Sequence, residues 1–381
     1  MPELDVAIVG AGPVGATLAA LACHAGLSVE LFESRANAAG DSRILALSHA
    51  SRELLEGAGA WPAANATPIA SIHISQLGGP GRAVLDAADL RLPALGYTVA
   101  FARLEGALLD RLAAGNVPVH FAESCSAIEL GADAATVRFA SGRVVRCRLL
   151  VLADGGANAA LIPGIAFNQR DYGQQAVVGE VRTDRPHGGR AYERFTPQGP
   201  MALLPVEDHF ALVWTAAPAE ARRLIALAEA DFLAELQARF GDRAGRFIRA
   251  DARASFPLKL RAVNTPVALR AALVGNAAQA LHPVAGQGLN LGLRDAAVLA
   301  ASIASTPRER LGDAAMLAMY REARSRDSSR GVAFTDFLVS AFADARRVPT
   351  WGRGLALAAL DLFPPARRLL ARRMIHGAPA P

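Results

Sequence analysis

Apolar positions along the chain fall into two rhythms. Compact runs bounded by glycine or acid, such as Asp5-Val6-Ala7-Ile8-Val9 and Leu149-Leu150-Val151-Leu152-Ala153, predict strands buried on both faces. Ser28–Phe32 reads as a second strand, and Ala272–Val274 is a shorter apolar run. Between them, helix-like spacing recurs in the segment ending at Gly26 and over Phe101–Ala114, where Leu104, Ala107, Leu108 and Leu112 share a face. It returns over Ala217–Phe240, from Leu289 to Ala300 and across Asp313–Ala345. Residues 117–121, 126–130, 136–139 and 144–147 predict a small antiparallel layer, and Gly81–Pro93 reads as loop. From Phe167 the pattern shifts to strand-like pieces at 177–181, 191–195, 201–206, 210–215 and 255–261, split by Gly and Pro turns. The fold class expected is α/β, with a mixed sheet inserted between segments of a parallel one.

Three junctions in this pattern carry candidate chemistry. The first strand feeds Gly10-Ala11-Gly12-Pro13-Val14-Gly15, and the second ends on Glu33, eighteen residues after Gly15. Strand, G-x-G-x-x-G, helix, strand and terminal acid in this order form a dinucleotide fingerprint: a tight turn at Gly10, backbone approach at Gly12, close packing at Gly15 and a ribose acceptor at Glu33. The fingerprint alone does not separate FAD from NAD. The second junction is Asp154-Gly155-Gly156, at the end of a buried strand, where ligands of open α/β sheets collect. The third is Leu273–Asp295, a strand, a turn-rich loop and a helix start that together suit a flat ligand lying against main chain. A glycine turn before a packing helix explains that stretch equally well. Arg43 and Arg103 are positioned to reach a phosphate-bearing ligand, or are ordinary solvated arginines.

Composition narrows the classes. With 381 residues the chain is long enough for two intimately packed domains. No apolar run is long enough to span a bilayer, and the N-terminus lacks the basic region of a signal peptide. Cys23, Cys125 and Cys147 form no CxxC pair, which argues against a disulfide framework or metal site and fits a reducing cytoplasm. The net charge is +5, the positive charge is almost all arginine, with Lys259 the sole lysine, and acids are interleaved; nothing concentrates charge for nucleic acid. Near the C-terminus, Gly354–Phe363 reads as a helix packed on the protein or a partner. Residues 366–376 place Leu369, Leu370 and Met374 among Arg367, Arg368, Arg372 and Arg373, a pattern equally suited to packing or to an anionic membrane surface.

With these pieces in order the chain resembles the class A flavoprotein monooxygenases, FAD-dependent aromatic hydroxylases with a para-hydroxybenzoate-hydroxylase-like fold. Gly10-x-Gly12-x-x-Gly15 with Glu33 is similar to their first FAD motif, Ala153-Asp154-Gly155 to their DG motif, and Gly275-Asn276 through Pro283 and Gly286–Asn290 to their GD motif and flavin-ring loop. Within the class, Ser42–Ser48, Glu193–Pro205 and His282–Asp295 are most similar to the ubiquinone-biosynthesis hydroxylases, in particular the 2-polyprenyl-6-methoxyphenol hydroxylases. Asn276 stands where the family usually has Asp, keeping an acceptor and adding a donor. Gly156 and Ala159 depart from the usual end of the DG motif.

The resemblance implies a Rossmann-like FAD-binding domain over 1–70, 98–165 and 265–330, a mixed β-sheet substrate domain over 71–97 and 166–264, and a C-terminal helical region over 331–381. It implies FAD and NAD(P)H as cofactors and no metal. FAD contacts are implied at Gly10, Gly12, Pro13, Val14, Gly15, Glu33, Ser34, Arg43, Arg103, Asp154, Gly155, Gly275, Asn276, Pro283, Gly286, Gln287, Gly288, Leu289 and Asn290, with Gly12, Asp154 and Gly286 converging on one cleft. The reaction implied is hydroxylation of a polyprenylated phenol through a flavin C4a-hydroperoxide, with backbone at Pro283 facing the reacting centre. His282 is a candidate base or, more simply, a loop anchor, and Met201–Leu204 the expected wall of an apolar channel. Implied partners are the prenylated phenol, a ubiquinone-biosynthesis protein complex and the inner face of a membrane touched from the cytoplasm by the C-terminal helix; nucleic acid is not among them. The alternatives are a hydroxylase of another aromatic, or a catalytically silent flavin-binding member of a biosynthetic complex.

Overall fold

The computed structural model describes residues 3–23, 26–38, 43–79, 81–251, 253–280, 286–325 and 347–377. Three sheets organise it. The first is built on β1 (Leu4–Val9), β2 (Val29–Phe32), β8 (Val119–His120), β9 (Cys125–Leu130), β10 (Ala135–Phe139), β11 (Val144–Leu152), β18 (Val267–Ala268) and β19 (Ala271–Leu273). Its parallel centre runs β19-β11-β1-β2-β8. The crossover helix α1 (Pro13–Ala22) packs on it together with α3 (Phe101–Ala114) and α6 (Gln287–Ala304).

β11 shows how burial dictates the pattern. Its outer half pairs antiparallel with β10 and alternates exposed and buried; its inner half pairs parallel with β1 and β19 and is buried throughout. The sequence reading divided this strand at Arg148 and set its first part in a separate layer. The structure joins the two, because Cys147 pairs both with Leu4 of β1 and with Ala135 of β10, and Arg148 beside it reaches the buried Asp5 carboxylate at 3.3 Å.

The second sheet holds β5 (Ser71–Gln76), β6 (Arg82–Asp86), β12 (Phe167–Thr183), β13 (Arg190–Thr196), β14 (Gly199–Val206), β15 (His209–Ala216), β16 (Phe247–Ala250), β17 (Ala254–Val263) and β20 (Gln279–Ala280). β6 corrects the loop expected over Gly81–Pro93: Ala83 and Leu85 turn inward once β5 supplies a pairing edge. One face of this sheet is covered by α4 (Pro218–Ala226) and α5 (Glu229–Phe240), with Met201, Leu203, Leu212, Trp214, Phe232 and Phe240 between. The single helix expected over Ala217–Phe240 breaks at Leu227, where Arg253 donates to the carbonyls of Leu224 and Leu227 that end α4.

A third, small sheet of β3 (Ile44–Ser48), β7 (Gly96–Ala100) and β4 (Ala66–Ile69) bridges the two others. The hydroxyl of Thr98 donates to the carbonyl of Pro205 on β14 across that bridge. α2 (His49–Gly57) follows β3 directly, capped by Ser48, whose hydroxyl accepts from the Ser51 N–H. A helix α7 covers 314–325; the remainder of the long helix expected to Ala345 lies outside the described residues. α8 (Arg347–Leu362) and α9 (Pro364–His376) close the chain, with Ala371 and Ile375 of α9 packed on Leu85 and Leu95.

Candidate active site

A cleft of about 580 Å³ opens across the C-terminal ends of the parallel strands, within the size range of cofactor sites. Taken along the sheet edge, its walls come from Glu33 after β2, Gly10 after β1, Ala153-Asp154-Gly155 after β11 and Gly275-Asn276 after β19. Two helices point their N-termini into it: α1 contributes Pro13 and Val14, and α6 contributes Gly288 and Leu289. Among the described residues neither helix start has a side-chain cap, and the first-turn N–H groups and positive dipole ends face the cleft.

The first glycine turn is made by close packing. Gly10 has φ +105°, and a Cβ there would sit 2.6 Å from the Ala153 carbonyl. A Cβ on Gly15 would sit 2.1 Å from the Gly10 carbonyl oxygen. At Gly12 a Cβ would meet nothing within 4 Å, leaving open room beside the α1 terminus. Such a cradle, uncapped and open, suits a pyrophosphate.

Glu33 is buried and accepts from the Ala11 N–H at 2.9 Å and the Arg35 N–H at 3.0 Å. Burial alone would raise its pKa; hydrogen bonds from Arg35 and Ala11 outweigh that and hold the carboxyl below its ordinary value. Arg35 also binds the buried Glu105 of α3 at 2.7 Å. Nearby, Glu123 is held ionised by Ser141 at 2.6 Å and Arg143 at 2.8 Å. The β2–β9 end of the cleft is thus charged, whereas Leu45, Phe101 and Leu289 line an apolar portion. Arg43 stands over the Phe101 ring, 5.2 Å from its centroid. Burial, with Asp154 adding to it, pushes the Cys125 thiol up to about 11, so no thiolate serves this cleft at neutral pH.

Asp154 shapes its own loop. It accepts from the Gly156 N–H at 2.8 Å, from the Asn158 N–H at 2.9 Å and from the Asn158 amide at 2.7 Å. Arg261 of β17 donates to the Gly155 carbonyl and lies over Phe167, joining the large sheet to the cleft wall. Asn276 is the one exposed residue between Ala271 and Gln279, and it is exposed to the cleft.

Several expected positions lie elsewhere. Gly12 and Asp154 meet in the cleft, but Gly286 does not line it; it sits against Ala46, and Gly288 and Leu289 line the cleft in its place. Gly15 lies beneath the turn. Arg103 is exposed on α3, away from the lining. Asn290 is committed to structure: it accepts from the Ser48 N–H and Ser51 hydroxyl and donates to the carbonyls of Ala46 and Gly286. Its amide is saturated, which leaves nothing for a flavin edge. Of the expected channel wall, Met201 and Leu203 are in the core under α4 and α5; only Ala202 and Leu204 lie on the opposite face. His282, Pro283 and the side chain of Gln287 lie outside the described residues.

Sequence reading missed Arg35, Glu105 and Glu123, and also the buried Asp295. Asp295 accepts from the Gly275 N–H at 2.9 Å, from Gln279 at 2.7 Å and from Arg324 at 2.6 Å. Arg35 follows Glu33 by two residues and was the one recoverable signal; the others come together only through tertiary contact. Among the described residues no cluster of His, Cys, Asp or Glu is arranged to hold a metal.

Comparison with known proteins agrees with this geometry. The family described as "FAD binding domain" matches residues 3–335. The chain is 37% identical over 382 residues to the ubiquinone hydroxylase UbiL of Rhodospirillum rubrum, covering 97% of this chain and 88% of that protein. It is 36% identical over 304 residues to the 3-demethoxyubiquinol 3-hydroxylase of Escherichia coli, covering 76% and 77%. Among solved structures, the p-nitrophenol 4-monooxygenase PnpA of Pseudomonas putida superposes with a TM-score of 0.81 at 19% identity over the full length of both chains, a likeness of fold.

Proposed function

The chain belongs to the FAD-binding domain family of flavin-dependent monooxygenases, and on that premise we propose that it hydroxylates the aromatic ring of a polyprenylated phenol in ubiquinone biosynthesis, using NAD(P)H and O₂. The observation that carries this reading is the meeting of two helix N-termini and four strand ends in one cleft. The names of the relatives, ubiquinone hydroxylase and 3-demethoxyubiquinol 3-hydroxylase, support the substrate class.

Bound FAD, reduced by the nicotinamide nucleotide, supplies the activation of O₂. The chain's own groups bind and orient. We assign Gly12, Pro13 and Val14 to the pyrophosphate, Glu33 with Ser34 to the adenosine ribose, and Arg43 to phosphate oxygens. Asp154, Gly155, Gly275 and Asn276 line the path of the ribityl chain, and Gly288 with Leu289 present the α6 dipole end to the electron-rich edge of the ring. Leu45, Phe101 and Leu289 exclude water from that end. The test is direct: the purified protein retains FAD, prenylated phenol stimulates its NAD(P)H oxidation, and mass spectrometry finds the phenol gained one oxygen. FAD retention without phenol-dependent product removes the proposal.

The C-terminal helices supply a second part of the reading. No helix among the described residues is long and apolar enough to cross a membrane. Leu355 at 65%, Leu362 at 83% and Leu369 at 70% exposure leave α8 and α9 with an outward apolar surface beside Arg368, Arg372 and Arg373, suited to peripheral contact with anionic lipid. Arg367 is not part of it, being paired with Asp89 at 2.8 Å. Co-sedimentation with anionic vesicles should be lost on Leu362→Asp with Leu369→Asp; equal binding removes the membrane contact.

A further inference from the structure

One ionisable group outside the cleft lining has no role in cofactor binding. Glu193 is on β13, and cross-strand pairing sets it in a row that reads Val178, Val213, Ala202, Glu193, Ile74, Ala83. It is the one acid in an otherwise aliphatic row. The flanking rows add Ala191 and Phe195 on its own strand, Leu204 on β14 and Ile72 on β5. Its Oε1 is buried and has no hydrogen-bond partner, although the residue as a whole keeps some exposure. A buried carboxyl oxygen without a donor destabilises a fold, so packing does not account for it.

The face that carries Glu193 is turned toward the cofactor layer. It is opposite the α4–α5 face, where Tyr192, Met201 and Leu203 are packed. Ile72, Ile74 and Leu85 share the Glu193 face, and α9 packs on them while also touching α2 and β3. β3 is the strand that carries Leu45 into the cleft. Glu193 therefore sits one strand inward from α9, on the surface between the large sheet and the layer that lines the cleft.

Resting on the proposed function, we infer that Glu193 is the acceptor for the substrate's phenolic hydroxyl. A mostly apolar surface, with Glu193 its one carboxylate in the central row and Gln76 beside Phe195 in the next, fits an aromatic ring bearing one O–H donor. In the step assigned to it, the phenol O–H bond breaks, the proton bonds to the carboxylate, and the electron pair stays on the phenol oxygen. The phenolate so formed is the more electron-rich ring, as an electrophilic hydroxylation needs. Burial pushes the Glu193 carboxyl up to about 8, closer to a phenol than an ordinary carboxylate is. On its own face the other charged or titratable groups are Glu180 and Arg182 on β12 and His209 on β15, two to three strands away, with His209 at 3.4 Å from Glu180. α9 meets this face with the apolar Leu370, Ala371, Met374 and Ile375, and Asp361 of α8 accepts from the Val84 N–H at the sheet edge.

The experiment uses the full-length flavin-loaded protein with 2-farnesylphenol and its methyl ether as probes, titrated by flavin absorbance between pH 6.5 and 9. Wild type should bind the phenol at least tenfold more tightly than the ether, with phenol affinity rising as pH passes through about 8. Glu193→Gln, which keeps size and shape, should flatten that pH dependence and bring the preference for phenol below threefold, with flavin content unchanged and melting no lower than wild type. Glu193→Leu should do the same. Phenol preference and pH dependence that survive in Glu193→Gln overturn the role of Glu193 alone. Failure of wild type to bind the phenol overturns the substrate reading and this inference with it.

Discussion

The two helix N-termini that face the cleft are made differently. At α1, backbone touches backbone: Gly15 and Ala153 crowd the Gly10 turn, and Glu33 adds one side-chain acceptor for the Ala11 N–H. At α6, a close approach also exists, since a Cβ on Gly292 would meet Val14 at 2.8 Å and Gly275 at 2.9 Å. Yet the loops there are held by buried polar side chains. Asn290 ties the start of α6 to β3, and Asp295 ties it to Gly275, with Arg324 of α7 behind. A terminus that follows a strand directly is set by that strand. The start of α6 is fixed by side chains that reach distant segments.

Substitutions separate the two constructions, beginning with the largest effect. Gly15→Val should abolish soluble flavin-loaded protein, because the new Cβ overlaps the Gly10 carbonyl and backbone cannot yield there; the flavin-to-protein absorbance ratio reports it. Retained flavin would mean the first turn is not set by packing. Asp295→Leu leaves Arg324 buried beside an apolar side chain, and loss of one partner of a buried pair costs about 3–5 kcal/mol. Thermal melting of the loaded protein should fall accordingly, and with it flavin retention.

Asn290→Leu comes next. It strips partners from buried groups of Ala46, Ser48 and Gly286, at about 1–3 kcal/mol for an unsatisfied group. Flavin should loosen while the α1 turn, probed by binding of ADP alone, is unchanged. Weakened ADP binding would show that the two termini are coupled.

Glu33→Gln should weaken FAD by about tenfold, equivalent to about 1.4 kcal/mol. Because the folded carboxyl titrates below its ordinary value, its contribution is full above that value and is lost as pH falls through the folded one. Acid titration of flavin fluorescence should show release in that window for wild type and a shallower response for the variant. Arg103→Ala should change FAD affinity less than twofold, since the side chain is exposed away from the lining; a larger loss would move the phosphate end of the cleft.

Sequence by itself determined the elements whose physics is local. The apolar run of β1, the Gly10–Gly15 turn, the spacing of α3 over Phe101–Ala114 and the acid at Glu33 are written in consecutive residues, because strand burial, backbone approach and helix periodicity act over a few positions. The motif strings were enough to indicate the family, and Asn276 and Asp154, both named from the sequence, line the cleft.

What only the tertiary structure decided are the pairings between distant segments. β6 is a strand because β5 is beside it; Asn290 is an anchor because Ser48 and Ser51 arrive from residues far earlier in the chain; Asp295 meets Arg324 across two helices. The isolation of Glu193 has the same origin. Its neighbours in the sequence are Tyr192 and Arg194, which face the other way, and the aliphatic row around it is assembled from five other strands. A side chain's solvation and partners depend on what the fold brings to it, and that is not carried by its position in the chain.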